Sequence, residues 1–169
     1  MRKGLAVAAG LLILTGINWT IVQREHLLRE GRVVLLELAP VDPRSLMQGD
    51  YMALRYQLVA TAFGELDAST PADGYVLVTP DAHEVAQFRR RVARDEPMRP
   101  AADELTLRYR LRNGVVQFAT NAFFFQEGTA ARYESARYGE FRVGADGEML
   151  LTGLRDADFQ RLGAPDAPP

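Results

Sequence analysis

Leu105-Thr-Leu-Arg-Tyr-Arg-Leu-Arg-Asn-Gly-Val-Val-Gln-Phe118 decides the fold. Leu105, Leu107, Tyr109 and Leu111 alternate with charged or polar residues, the period of a strand with one buried face, and Val115 to Phe118 runs back after Asn113-Gly114. An Asn-Gly pair between two such runs is the strongest short-range hairpin signal, because both residues accept the positive φ that a tight, correctly twisted turn demands. The segment predicts two antiparallel strands.

Working outward, Glu140–Val143 and Glu148–Thr152 form a second hairpin around Asp146-Gly147. Between the two hairpins, Asn121–Gly128 leads into a short helix over Thr129–Ser135. Its three consecutive aromatics, Phe123 to Phe125, must send at least one side chain to the second face of any strand they form. Upstream, Asp95–Asp103 holds Pro97 and Pro100 and reads as an irregular connection. Gly74–Thr79 is a strand and Pro80-Asp81-Ala82 a turn. Glu84–Val92 is read as the return strand. A helix capped by Asp81, with Glu84 closing a capping box and Val85, Phe88 and Val92 on one stripe, is the alternative.

Ala60–Asp73 is small and polar, hence a loop. Tyr51–Leu58 alternates, with Met52, Leu54, Tyr56 and Leu58 on one side, as a half-buried strand does. Gly49 and Asp50 make the turn before it, Asp42-Pro43 opens one helical turn through Leu46, and Val33–Ala39 is a buried strand closed by Pro40. The expected class is mainly β: an antiparallel barrel-like or folded-over sheet domain of about eight short strands with one or two short helices.

Ahead of this domain, Gly4–Val22 carries no ionisable side chain and follows Arg2 and Lys3 directly. At helical rise it measures about 28 Å, the thickness of a bilayer's hydrocarbon. The two cations bias the N-terminus to stay cytoplasmic, which puts the rest outside the inner membrane, in the periplasm. A cleaved secretory signal would need small residues in an Ala-x-Ala-like arrangement, where this chain has Ile17-Asn-Trp-Thr-Ile-Val22 and then Gln23-Arg-Glu-His26. A buried helix of a soluble protein would show a polar face. The expectation is an uncleaved single-pass anchor and stalk over residues 1–31, stopped at Gly31, a β domain over 32–160 and a disordered tail over 161–169.

With Arg2 and Lys3 set aside, 18 basic residues face 22 acidic ones, a balance of about −4 that offers no footprint for nucleic acid. Cysteine is absent, so disulfides, thiolate nucleophiles and thiolate metal sites are excluded. Lys3 is the only lysine, which removes a neutral-lysine base or a Schiff-base amine from the outer domain. His26 and His83 lie far apart without metal-ligand spacing, and Arg89-Arg90-Arg91 reads as an exposed cationic face. No metal and no cofactor is expected.

Gly49-Asp50-Tyr51-Met52-Ala53-Leu54-Arg55-Tyr56 matches, at every specified position, the pattern that names the GDYXXLXY family, which the chain resembles. Leu38-Ala-Pro-Val-Asp-Pro-Arg44 and Phe123-Phe-Phe-Gln-Glu-Gly128 also look like that family's surroundings, extending the resemblance over Val33 to Leu154. The resemblance implies a bacterial membrane-anchored protein without an established activity, associated with multi-spanning membrane proteins and therefore with a partner in the bilayer.

Physically, Asp50 is a turn-capping carboxylate and the aromatic and Leu positions pack a strand. The functional reading brings Asp50, Tyr51, Tyr56 and Glu127 together as ligand or interaction candidates, with no catalytic residue assigned. Pro43-Arg-Ser45-Leu-Met-Gln-Gly49-Asp50 also resembles the serine and Gly-Asp layout of type I signal peptidases, but no lysine follows Ser45, so the dyad cannot form and at most a catalytically silent relative remains. The first expectation for function is a non-catalytic, membrane-anchored accessory domain with a membrane-protein partner. Asn18 in the span is a candidate for lateral helix pairing. The alternative is a ligand-binding or hydrolytic domain using Asp50 and Glu127 as a carboxylate pair.

Overall fold

The computed structural model describes residues 2–39, 47–48, 51–64, 66, 70–97 and 99–163. The expected helical turn Asp42–Leu46, the Gly49-Asp50 turn, Ser45 and the tail beyond Gly163 lie outside the described residues.

Helix α1 spans Arg2–Glu30 and stops where expected, with the Gly31 N–H donating to the Leu27 carbonyl at 2.9 Å. Its polar residues within the apolar run return their donors to the helix: Thr15 Oγ1 to Leu11 O at 2.8 Å, Asn18 Nδ2 to Leu14 O at 3.0 Å and Thr20 Oγ1 to Ile17 O at 2.7 Å. The stalk carries Glu25–Arg29 and His26–Glu30 pairs at i, i+4. Among the described residues no helix is long and apolar enough to cross a membrane. The uncharged run starts at Gly4, whereas described side chains start at Gly10.

The strands are β1 (Arg32–Glu37), β2 (Met47–Gln48), β3 (Tyr51–Ala53), β4 (Asp73–Pro80), β5 (Ala86–Ala93), β6 (Leu105–Arg112), β7 (Val115–Gln117), β8 (Ala122–Phe124), β9 (Tyr138–Val143) and β10 (Met149–Arg155). They form three antiparallel sheets, ordered β1-β9-β10, β2-β3-β8 and β5-β4-β6-β7. Among the described residues none closes into a barrel, which corrects the barrel-like expectation. The first and third sheets are linked by a parallel bridge, Leu35 with Val85, where the Leu35 N–H donates to Glu84 O at 2.8 Å, and by the Arg108 N–H donating to Gly147 O at 3.0 Å.

The deciding hairpin is present as read. Asn113 and Gly114 have φ of 51° and 73°, and Arg110, Leu111 and Arg112 pair with Gln117, Val116 and Val115. Glu84–Val92 resolves in favour of the return strand. Asp81 Oδ1 accepts N–H bonds from His83 at 2.8 Å and Val85 at 3.0 Å, the service an N-cap performs for a helix, here closing a turn instead. Glu84 adopts φ of 64° and Val85 is drawn to β1, which ends any helix there.

Tyr51–Leu58 departs from expectation. The strand ends at Ala53 and helix α2 runs Gln57–Phe63, taking in residues read as strand and as loop. The alternation misled because Leu58 is buried in either geometry, and the burial of Met52, Leu54, Tyr56 and Leu58 continues unbroken across the strand-to-helix change. Leu58, Ala62 and Phe63 form the inner face of α2, with Phe63 edge-on to Tyr109 at 4.7 Å. The expected helix over Thr129–Ser135 is a 3-10 turn, Ala130–Tyr133.

One core joins all three sheets. Val34, Leu36, Val76, Val78, Leu107, Tyr109, Phe141 and Leu154 are each no more than 1% exposed.

Candidate functional site

Of the four sequence-derived candidates, Asp50 lies outside the described residues. Tyr51 opens β3, opposite Phe124 on β8, their ring centroids 5.7 Å apart. Because β3 and β8 run antiparallel, Glu127, three residues past Phe124, leaves the sheet at the end where β3 begins. Glu127 itself is exposed in a turn. The fold thus puts Tyr51 and Glu127 at one sheet end.

Tyr56 goes elsewhere. It is 3% exposed, edge-on to Phe118 at 5.9 Å and Phe141 at 5.7 Å, and its hydroxyl donates to the Thr120 carbonyl at 2.7 Å. Burial pushes its phenol far above the ordinary range, so it stays protonated. Its backbone bridges to Leu38. The Leu54 and Tyr56 positions of the octet are therefore core positions, in line with the packing account of that motif.

Phe123 and Phe125 pack on Tyr133 at 5.0 and 5.4 Å, while Phe124 turns to the opposite face and is 73% exposed on an edge strand. The Arg89-Arg90-Arg91 run is engaged rather than free: Arg89 donates to Thr79 Oγ1, Arg90 pairs with Glu104 at 3.3 Å and Arg91 lies over the Phe63 ring at 5.1 Å. His83 stacks on Phe159 at 4.6 Å. Among the described residues no group of three or more His, Cys, Asp and Glu could hold a metal.

Two features had no counterpart in the sequence reading. The first is Glu140 on β9, 5% exposed, whose carboxylate accepts from Thr152 Oγ1 at 2.7 Å and from Arg155 Nε at 2.7 Å. Burial pushes this carboxyl up, but the Thr152 and Arg155 hydrogen bonds, with the charges of Arg155 and Arg161, outweigh it and hold the group below its ordinary value. The bulge between Leu151 and Gly153 is what presents Thr152 to Glu140.

The second is a concavity of about 210 Å³ where the base of α1 meets the β6–β7 and β9–β10 hairpins, lined by Arg24, Arg108, Arg110, Arg112 and Glu148. Phe118 and Met149 form its base. The alternation of β6 puts Leu107 and Tyr109 inside and Arg108, Arg110 and Arg112 on the opposite face, where Gln117 of β7 joins them across from Arg110. Alternation was a usable signal for three of these arginines. The approach of Arg24 from α1 was not, since it comes from tertiary packing: Arg24 reaches Glu148 at 3.9 Å and Arg142 donates to the Gly31 carbonyl at 2.9 Å.

Three small antiparallel sheets joined to an N-terminal helix define a mainly β protein among the described residues. The GDYXXLXY protein family model matches residues 13–154, and the chain belongs to that family. The match ends at Leu154, as the sequence reading had it, and begins inside α1 rather than at Val33. No curated protein and no solved structure matches the chain.

Proposed function

We propose that the chain is a membrane-anchored accessory domain, held by residues 4–22 with its N-terminus cytoplasmic and its β domain outside the inner membrane, where it engages another membrane protein without catalysis. The observation that carries this is the exposure of consecutive large apolar residues on α1: Leu11, Leu12, Ile13 and Leu14 are 61, 75, 60 and 56% exposed. At 100° per residue these four point to all sides of the helix. A groove in a protein covers one face, whereas lipid covers all of them. The internal hydrogen bonds of Thr15, Asn18 and Thr20 support the same reading, because hydrocarbon offers no water to those donors. Trp19 stands near the outer end, where an indole suits the interface.

For the partner, the exposed Phe124 beside Tyr51 supplies an aromatic contact on β8, the edge strand of its sheet among the described residues. The test has two parts. Alkaline phosphatase fused after Pro169 is active and the chain resists alkaline carbonate extraction; release by carbonate or an inactive fusion defeats the anchor and its orientation. A photo-crosslinking amino acid at Phe124 in native membranes captures one reproducible membrane protein by mass spectrometry; no reproducible adduct defeats the partner.

A further inference from the structure

We propose that the groove between α1 and β6, lined by Arg24, Arg108, Arg110 and Arg112, binds a phosphate anion, either the headgroup of an anionic phospholipid or soluble phosphate. Four arginines and a single acidic residue line the groove, and that residue, Glu148, is paired with Arg24 at 3.9 Å. The guanidiniums of Arg108, Arg110 and Arg112 make no ion pair or hydrogen bond among the described residues. Asp73 of β4 is an acid positioned to neutralise them, since it is the direct cross-strand partner of Arg110 on β6. Its carboxylate turns away to Arg94 at 2.5 Å. Three like charges at successive same-face positions of one strand repel one another, and the arrangement is relieved by an anion that several planar forks can grip at once. Phosphate oxygens fit that geometry, and arginine is the side chain suited to them.

The depth of the groove favours the lipid source and rests on the anchored reading. Arg24 follows Val22 by two residues, about 3 Å along the helix, so the end of the uncharged run and the arginine cluster fall at the level of the headgroups. The anion site itself does not depend on the anchor.

The experiment uses the full chain in detergent, comparing wild type with R110Q/R112Q and with R132Q/R137Q, a pair of the same charge change on exposed residues elsewhere. Native mass spectrometry reads retention of phosphatidylglycerol against phosphatidylcholine, and thermal unfolding reads the response to inorganic phosphate. With each arginine near an anionic surface worth roughly fivefold, R110Q/R112Q lowers phosphatidylglycerol retention about 30-fold while R132Q/R137Q leaves it near wild type. Selective phosphatidylglycerol retention without a phosphate response assigns the site to a lipid headgroup. A phosphate-induced rise in midpoint that R110Q/R112Q abolishes assigns it to soluble phosphate. Equal retention of both lipids with no phosphate response, or equal losses in the two double variants, overturns the proposal. Carbonate extraction run alongside separates this result from the anchor, because failure of the anchor releases wild type and variants alike while the phosphate response stays readable.

Discussion

At the scale of single residues, the family signature divides into parts with different work. Tyr56 sits where the bridge to Leu38, the Thr120 carbonyl and the rings of Phe118 and Phe141 meet, so its hydroxyl satisfies a part-buried acceptor that water does not readily reach. Tyr56→Phe keeps the ring and removes the donor, and the expected loss is about 1–2 kcal/mol in denaturant unfolding. A loss indistinguishable from zero would mean that Thr120 O finds another donor. Gly74 makes a different demand. A Cβ there would stand 2.8 Å from the Val92 carbonyl and 3.0 Å from the Tyr109 hydroxyl, and the first of these is backbone of the paired strand β5. Gly74→Ala therefore forces the β4–β5 hairpin to shift, costing about 1–3 kcal/mol. Tyr56 was readable as a packing residue and Gly74 as part of a strand, but neither partner set was readable, because Thr120 and Tyr109 are distant in sequence.

At the scale of elements, local signals succeeded wherever the deciding interaction is local. Asn113 and Gly114 both take positive φ, and open space surrounds a Cβ built on Gly114. Gly114→Ala therefore isolates the backbone cost of the left-handed region, an expected destabilisation of about 1 kcal/mol with no steric part. Comparison with Gly74→Ala separates conformational from packing penalties in the same sheet. Local reading failed at Tyr51–Leu58, because period-2 burial continues through residues that turn into α2, and tertiary contact of Phe63 with Tyr109 and Arg91 decides the helix. It read Glu84–Val92 as the return strand, and the bridge of Val85 to β1 removes the helical alternative. For α1, the exposed ring of apolar side chains predicts that Leu12→Arg together with Leu14→Arg shifts the chain from the membrane pellet to the carbonate supernatant, each charge at mid-helix opposing insertion by about 3 kcal/mol. Retention of that variant in the pellet would mean that something other than lipid covers the helix.

At the scale of the whole molecule, the buried Glu140–Arg155 pair ties β9 to β10, and Arg155 Nη1 also holds the Phe159 carbonyl at 2.8 Å. A carboxyl held below its ordinary value contributes stability that is complete above the unfolded-state value and is lost as pH falls through the folded one. Wild type is expected to lose midpoint on acidification below the usual glutamate range, and Glu140→Gln to lack that portion of the loss. At neutral pH Glu140→Gln leaves Arg155 without its anion and lowers stability by about 1–3 kcal/mol, less than for a fully buried partner because Arg155 is 30% exposed. Parallel acid profiles for the two proteins would remove Glu140 as the source.

The sequence by itself determined the hairpins and the uncharged run ahead of them, because turn chemistry, alternation and absence of charge act between near neighbours. It also determined that three arginines share one face of β6, since that follows from the pleat alone. Only the tertiary structure decided that the ten strands among the described residues form three sheets rather than one barrel, that Tyr51 stays at a sheet end, and that Arg24 joins the β6 arginines across a groove. Those outcomes depend on pairings such as β1 with β9 and β3 with β8, in which residues far apart in the chain compete for the same buried surface, and no short-range pattern ranks such competitors.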